Sequence, residues 1–131
     1  MHLFGRICRN PQHVLAAKIA QASARVEPLT AEVAHAAHLT ATAFAAAEAA
    51  RQVVIAITEE IHPSERTTMG RDPDRVRRYN QACATNGEAA AALNAAKGRH
   101  ADVSRQRTTA NGDLQLMIER VVARARRDTT P

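Results

Sequence analysis

Residues 15 to 61 carry an unbroken repeat in which apolar residues are spaced alternately by four and three positions. Thirteen of its fourteen positions are apolar, and the exception is Thr40. An average spacing of 3.5 residues places one narrow stripe along a long helix, and that stripe must be covered by another helix. The fourteen positions are Leu15, Ile19, Ala22, Val26, Leu29, Val33, Ala36, Thr40, Ala43, Ala47, Ala50, Val54, Ile57 and Ile61.

The composition limits what such a stripe can stabilise. Of the hydrophobic residues, 29 are alanine and only 28 are large aliphatic, methionine, phenylalanine or tyrosine side chains. A compact globule built from 131 residues would be short of core. Alanine is the best helix former and lets two backbones approach closely, so a pair of long helices needs less bulk. A lone pair would still be marginal, and we therefore expect self-association or a protein partner.

Proline and glycine positions divide the chain. Residues 1–10 are expected to form an irregular arm, and residues 11–131 a single helical hairpin domain. Its arms are predicted at 11–62 and 73–127, with a loop at 63–72 that contains Pro63 and Gly70. Pro11 and Pro73 suit the first turn of a helix, and Asp72 is a favourable N-cap. The predicted fold class is an all-α, antiparallel, coiled-coil-like hairpin.

The second arm continues the same spacing less strictly. Asn86, His100 and Arg107 fall on its stripe, where they would set register or partner choice if buried, or lie in solvent if the register is shifted. The full stripe is Tyr79, Ala82, Asn86, Ala89, Leu93, Ala96, His100, Val103, Arg107, Ala110, Leu114, Met117 and Val121.

Two positions weaken the arms. Pro28 removes a backbone donor and clashes with the preceding turn, and Asn111-Gly112 favours a turn over a helix. Both would lie at about the same height in a hairpin. We expect kinks near Pro28 and Asn111-Gly112, which make the chain either a bent hairpin or a bundle of four segments.

The net charge of +5 concentrates at the end where the termini meet. Arginines near both termini exceed the acids there, Glu119 and Asp128. This end is either a binding site for phosphate, nucleic acid, an anionic membrane or an acidic protein patch, or a solvated helix end whose arginines complement the dipole. The anion-binding candidates are Arg6, Arg9, Arg120, Arg124, Arg126 and Arg127.

Several apolar residues fall outside the two stripes. They are grouped around residue 54 and near the end of the second arm, and exposed apolar groups of this kind often mark interfaces. The interface candidates are Val53, Ile55, Leu116, Ile118 and Val122.

Motifs for catalysis or metal binding are sparse. Glu32, His35 and His38 have the spacing of a bundle metal site, but they face away from the stripe and no second such motif follows. The sequence contains no Gly-rich phosphate loop and no Gly-x-Ser-x-Gly motif. Cys8 and Cys83 lie too far apart in a hairpin for a disulfide. We expect no enzymatic activity, no metal, no cofactor and no small-molecule substrate.

The outline of two long helices joined by a polar loop is similar to the small Trp-x-Gly proteins of type VII secretion. Their motifs differ, because the loop lacks Trp, and Tyr79 is followed four residues later by Cys83 instead of an acidic residue. The Ala-rich amphipathic helices also resemble those of granule-coating phasins and of small phage assembly proteins.

These features predict a non-enzymatic structural, assembly or adaptor protein that oligomerises or docks through its helix faces. A virion or a secretion machine would suit such a component. The alternative is binding of nucleic acid, without sequence specificity, or of an anionic surface through the Arg-rich end. The apolar runs are short and the N-terminus has no signal-peptide pattern, so we expect no transmembrane segment and a cytoplasmic or particle-associated location.

Overall fold

The computed structural model describes residues 11–60 and 72–129. Helix α1 comprises Pro11–Glu60 and helix α2 comprises Pro73–Asp128. Within these ranges every residue except Asp72 and Thr129 is α-helical, and there is no strand. The two helices pack against each other, so the prediction of an all-α helical hairpin is confirmed.

Local sequence explains where α2 begins. The Asp72 carboxylate accepts hydrogen bonds from the backbone amides of Asp74, at 3.1 Å, and Arg75, at 3.4 Å. The Asp72 carbonyl accepts from the amide of Val76 at 3.1 Å. Pro73 has no amide hydrogen to satisfy, so it fits the first helical position without loss. Asp72 is therefore the N-cap of α2.

Neither weak position ends a helix. Pro28 lies inside α1, and α2 continues through Asn111-Gly112 without any positive φ angle. The structure thus has two continuous helices in place of the four-segment alternative. That these positions bend the helices stays a prediction.

The described residues form two compact units, and each contains a stretch of both helices. We call residues 11–34 with 102–129 the terminal unit, and residues 35–60 with 72–101 the loop-side unit. In the terminal unit, Ala22 is the one described residue that is buried, and the loop-side unit buries Ala36, Ala50 and Ala82. No side chain larger than alanine is buried in the described ranges, so each unit is held by a thin layer of apolar contacts.

Surface ion pairs add little to this stability. Described pairs within one helix join residues three apart, such as Arg51 with Glu48 at 3.2 Å. Arg105 is paired in the same way with Asp102. Both partners are largely exposed in each case, and exposed pairs contribute about 0–1 kcal/mol. The hairpin therefore depends on its apolar stripe.

Candidate interaction surfaces

The stripe on α1 lies against α2 along the described chain. Of its fourteen predicted members, Ala22, Ala36 and Ala50 are buried and ten others are half-buried. Ile61 lies outside the described residues. Among the described α1 side chains outside the stripe, only Glu48 and Ile55 are half-buried, and the others are exposed. The 4-3 spacing therefore corresponds to the contact face of this helix.

The stripe on α2 is covered in the same way over most of its length. Asn86, His100 and Arg107 are half-buried, so the polar members do lie on the contact face. Val121 is the exception, because it is 37% exposed. It falls in the last turns of α2, where every residue from Ile118 to Thr129 is exposed. The prediction that Val121 belongs to the covered stripe is wrong, since a helix end has neighbours on fewer sides.

Alanine permits a close approach of the two backbones in the loop-side unit. The Thr40 hydroxyl oxygen lies 3.3 Å from the carbonyl oxygen of Ala96 on the other helix and 2.8 Å from that of Ala36 on its own helix. A hydroxyl has one hydrogen to donate, and the shorter contact, to the carbonyl of Ala36 in α1, is the better hydrogen bond. The longer one shows that a short side chain can touch the opposite backbone here.

An uncharged outer face lies beside this contact in the loop-side unit. On α1, Leu39, Ala46 and Val53 follow one another at seven-residue intervals, and all three are exposed. On α2, Thr85 and Ala92 are likewise seven apart and exposed. We call these five residues the uncharged face. Val53 is 52% exposed and Leu39 is 37% exposed, so both residues present apolar surface to water.

Grooves between the helices open onto this face. One of about 460 Å³ is lined by Ala50, Val53, Ile57, Ala82 and Thr85, among others. A smaller one of about 210 Å³ is lined by Ala36, Leu39, Ala92, Ala96 and Arg99. Their small side chains leave space that a partner's side chains could fill.

Charged residues mark both ends of the uncharged face. At one end Glu60 on α1 forms an ion pair of 3.4 Å with Arg78 on α2. At the other end Arg99 continues the line of Thr85 and Ala92 at the same seven-residue spacing. The face thus has a neutral ion pair at one end and the guanidinium of Arg99 at the other.

The end of α2 combines exposed apolar and basic residues. Ile118 and Val122 are exposed, as is Leu116 on another side of the helix. The described anion-binding candidates are also exposed: Arg120, Arg124, Arg126 and Arg127. Arg6 and Arg9 lie outside the described residues. Of the interface candidates, only Ile55 is half-buried, since it lies close to the stripe, whereas the other four are exposed.

Sequence reasoning missed Phe44, which is 54% exposed on α1. It directly follows Ala43 of the stripe and lies on the side of α1 opposite the line of Leu39 and Val53. The signal was available, because one of only two phenylalanines in the chain stands off the stripe. Val14 and Leu39 were missed for the same reason, since only clustered apolar residues were considered.

The remaining polar groups do not converge on a reactive centre. Glu32, His35 and His38 are all exposed, and the described residues contain no group of three metal-binding side chains. A groove of about 520 Å³ in the terminal unit is lined by Arg25, Asp102, Arg105, Asp113 and Met117, among others. Its charges are of both signs and largely exposed, which favours hydration over selective binding of one ion.

Tyr79 and Cys83 form a local pair one turn apart on α2. The Cys83 thiol, which is half-buried and not in a disulfide, raises the pKa of Tyr79 through a side-chain hydrogen bond and through charge repulsion. Both side chains lie against α1 at half-buried positions. The pair lies within α2, so the pKa of Tyr79 reports on the turn that holds these two side chains together.

Comparison with protein-family models, curated proteins and solved structures finds no match for this chain. Function therefore has to be inferred from the surfaces described above. By length and composition α1 also meets a criterion for a membrane span, with a hydropathy of 1.2 over an 18-residue window. One such helix is weak evidence, since alanine supplies much of that hydropathy, and the absence of a transmembrane segment stays a prediction.

Proposed function

We propose that this chain is a non-enzymatic assembly protein that associates with a second copy of itself through the uncharged face of its loop-side unit. The observation that carries the proposal is the exposure of Leu39 and Val53 on a face whose five named residues are uncharged, with exposed Glu88 beside it on α2, four residues before Ala92. As a component of a larger assembly, such as a virion or a secretion machine, it would contribute helix surfaces for protein contacts and no catalytic activity.

The small amount of apolar surface buried within one copy supports association with a second copy. The loop-side unit buries three alanines and no larger side chain among its described residues. Each buried methylene contributes about 0.8 kcal/mol, so covering Leu39 and Val53 adds several such groups to a thin core. A second copy is the partner that is always present at the concentration of the chain itself.

The charge at the two ends of the face suits a two-fold arrangement. In a two-fold symmetric dimer the same patch of both copies meets itself, so each contact occurs twice. If the two-fold axis is perpendicular to the face, the copies lie antiparallel and Arg99 of one copy approaches the neutral Glu60–Arg78 pair of the other. A parallel pairing would instead bring the two Arg99 side chains to the same end, so the charge pattern favours the antiparallel pairing.

The size of the face suits a stable contact. From Leu39 to Glu60 the helix rises about 31 Å at 1.5 Å per residue, and two helices of about 10 Å diameter stand side by side. The outline of the two helices covers roughly 600 Å². Side chains that interdigitate add accessible area, which brings the buried surface of each copy toward the value for a standard interface, about 800 Å² per partner.

The decisive experiment measures solution mass by light scattering after size exclusion, at low and high salt. The parent should be a discrete, salt-resistant oligomer, and Val53→Asp should be a folded monomer with unchanged helicity by circular dichroism. Gln52→Asp is the matched control, because Gln52 is exposed one residue away and points further from α2. A monomeric parent, or a Val53→Asp variant with the parent's mass, would overturn the proposal.

A further inference from the structure

The last turns of α2 carry an apolar stripe that nothing in the described chain covers. Ile118, Val121 and Val122 are all exposed. Their spacing of three and four residues places them on one side of the helix. Burying such a stripe is favourable, so its persistence on the surface calls for an occupant.

Arginines border that stripe on both sides. At 100° per residue, which follows from 3.6 residues per turn, Arg124 lies about 60° from Val121 and Arg126 about 40° from Val122. Arg120 and Arg127 lie behind Arg124. Two acids also lie beside the stripe, since Asp128 is about 20° from Val121 and Glu119 about 20° from Arg126. The segment is therefore a short amphipathic helix with a positive balance of two charges.

The helix dipole accounts for arginines at this end without any ligand, because cations stabilise a helix C-terminus. It does not account for the exposed isoleucine and valines between them. A surface that offers apolar contact and negative charge together would engage both sets of residues.

We infer that the end of α2, residues 118–127, binds an anionic lipid surface in its plane. Ile118, Val121 and Val122 enter the boundary between headgroups and acyl chains, and the flanking arginines extend their long side chains to lipid phosphates. Polybasic segments gain affinity from anionic headgroups in this way.

Two other occupants fit less well. Nucleic acid would engage the arginines but leave the apolar stripe in water, and these turns contain no aromatic side chain for stacking on bases. A second copy of the same segment would bring two positively charged stripes together. The lipid surface is the occupant that engages both the apolar stripe and the arginines beside it.

The test is flotation of the intact protein with vesicles of phosphatidylcholine, with and without phosphatidylserine. We expect the parent to float with the anionic vesicles and not with the neutral ones. Binding should fall about tenfold or more both in Arg124→Gln with Arg126→Gln, which weakens the charge attraction, and in Ile118→Asn with Val122→Asn, which removes apolar burial.

A matched control removes two arginines elsewhere. Arg51→Gln with Arg77→Gln makes the same charge change at exposed positions of the loop-side unit, and it should float like the parent. Circular dichroism must show equal helicity for all variants, and a single apolar substitution, Val122→Asn, replaces the double variant if that fails to fold.

Other results would overturn the inference. One is a parent that stays at the bottom of the gradient with anionic vesicles. Another is equal flotation of all variants. A third is retention of DNA that depends on Arg124 and Arg126 but not on Ile118 and Val122, with no flotation, because that pattern means phosphate-backbone binding. Flotation and oligomer mass are separate readouts, so this inference and the proposed self-association can fail independently.

Discussion

The Thr40 hydroxyl oxygen lies 3.3 Å from the carbonyl oxygen of Ala96, although the two residues belong to different helices. A side chain with a single hydroxyl and methyl group spans the whole gap between the backbones at this height. The neighbouring members of both stripes, Ala36, Ala43 and Ala96, are small enough to allow it. The approach of α1 and α2 in the loop-side unit is therefore set by residue size.

Enlarging a residue at this approach should destabilise the hairpin. We expect Ala96→Leu to lower the free energy of unfolding by about 1–3 kcal/mol, because the added side chain must push the backbones apart. Ala95→Leu is the control, since Ala95 is exposed and a surface substitution changes stability by about 0.5 kcal/mol or less. Urea unfolding followed by circular dichroism measures both, and equal midpoints would show that the backbones are not closely packed.

Pro28 offers a route to a more stable chain. It lies inside α1 and has no hydrogen to donate to the carbonyl of Ala24. Pro28→Ala should raise the free energy of unfolding by up to about 3 kcal/mol, the helix-interior difference between the two residues. Pro73→Ala should not do so, because Pro73 is the first residue of α2, where no donor is needed. Thermal unfolding of the two variants compares them, and a gain for Pro73→Ala alone would contradict this account of Pro28.

The contact faces could be predicted because burial follows the 3.5-residue spacing. On α1, each of the thirteen described members of the stripe is buried or half-buried, Thr40 included. The spacing alone also placed His100 and Arg107 on the contact face of α2. Polarity would have argued against them, and their long side chains can reach solvent from a half-buried position.

The outer surfaces were harder to predict. Leu39 stands between His38 and Thr40, and Phe44 between two alanines, so no local cluster of large apolar residues draws attention to them. Their exposure also depends on where α2 lies. Val121 was placed on the covered stripe because periodicity does not register the end of a helix. Whether Pro28 would break α1 also depends on a balance, since the cost of a proline competes with many favourable alanines.

The polar members of the α2 stripe should lower the stability of the hairpin while they fix its register and its number of associated copies. Asn86 is half-buried against α1. Asn86→Leu should raise the unfolding midpoint, because an apolar side chain replaces an amide at a contact position, as in coiled coils where a single asparagine fixes register. We expect the same variant to show a mixture of masses by light scattering, whereas the parent has one. Asn80→Leu, at an exposed position of the same helix, should neither raise the unfolding midpoint nor produce a mixture of masses.

The titration of Tyr79 reports on the turn of α2 that holds Tyr79 beside Cys83. Its pKa is raised from the ordinary value of 10.0 by the neighbouring Cys83, first through their hydrogen bond and then through charge repulsion. Since Tyr79 is the sole tyrosine, tyrosinate absorbance follows it alone. We expect the folded protein to titrate above the urea-unfolded chain, and Cys83→Ala to remove most of that difference.

The same linkage predicts how stability depends on pH. A proton held more tightly in the folded state stabilises it fully below the unfolded pKa of Tyr79, and this contribution disappears as pH rises through the folded pKa. Urea midpoints of the parent should therefore fall more steeply than those of Cys83→Ala at alkaline pH, while the two proteins should show parallel behaviour at neutral pH. Identical alkaline slopes would mean that Cys83 does not hold the tyrosine proton, and the pair would then lose its use as a marker of the folded α2 helix.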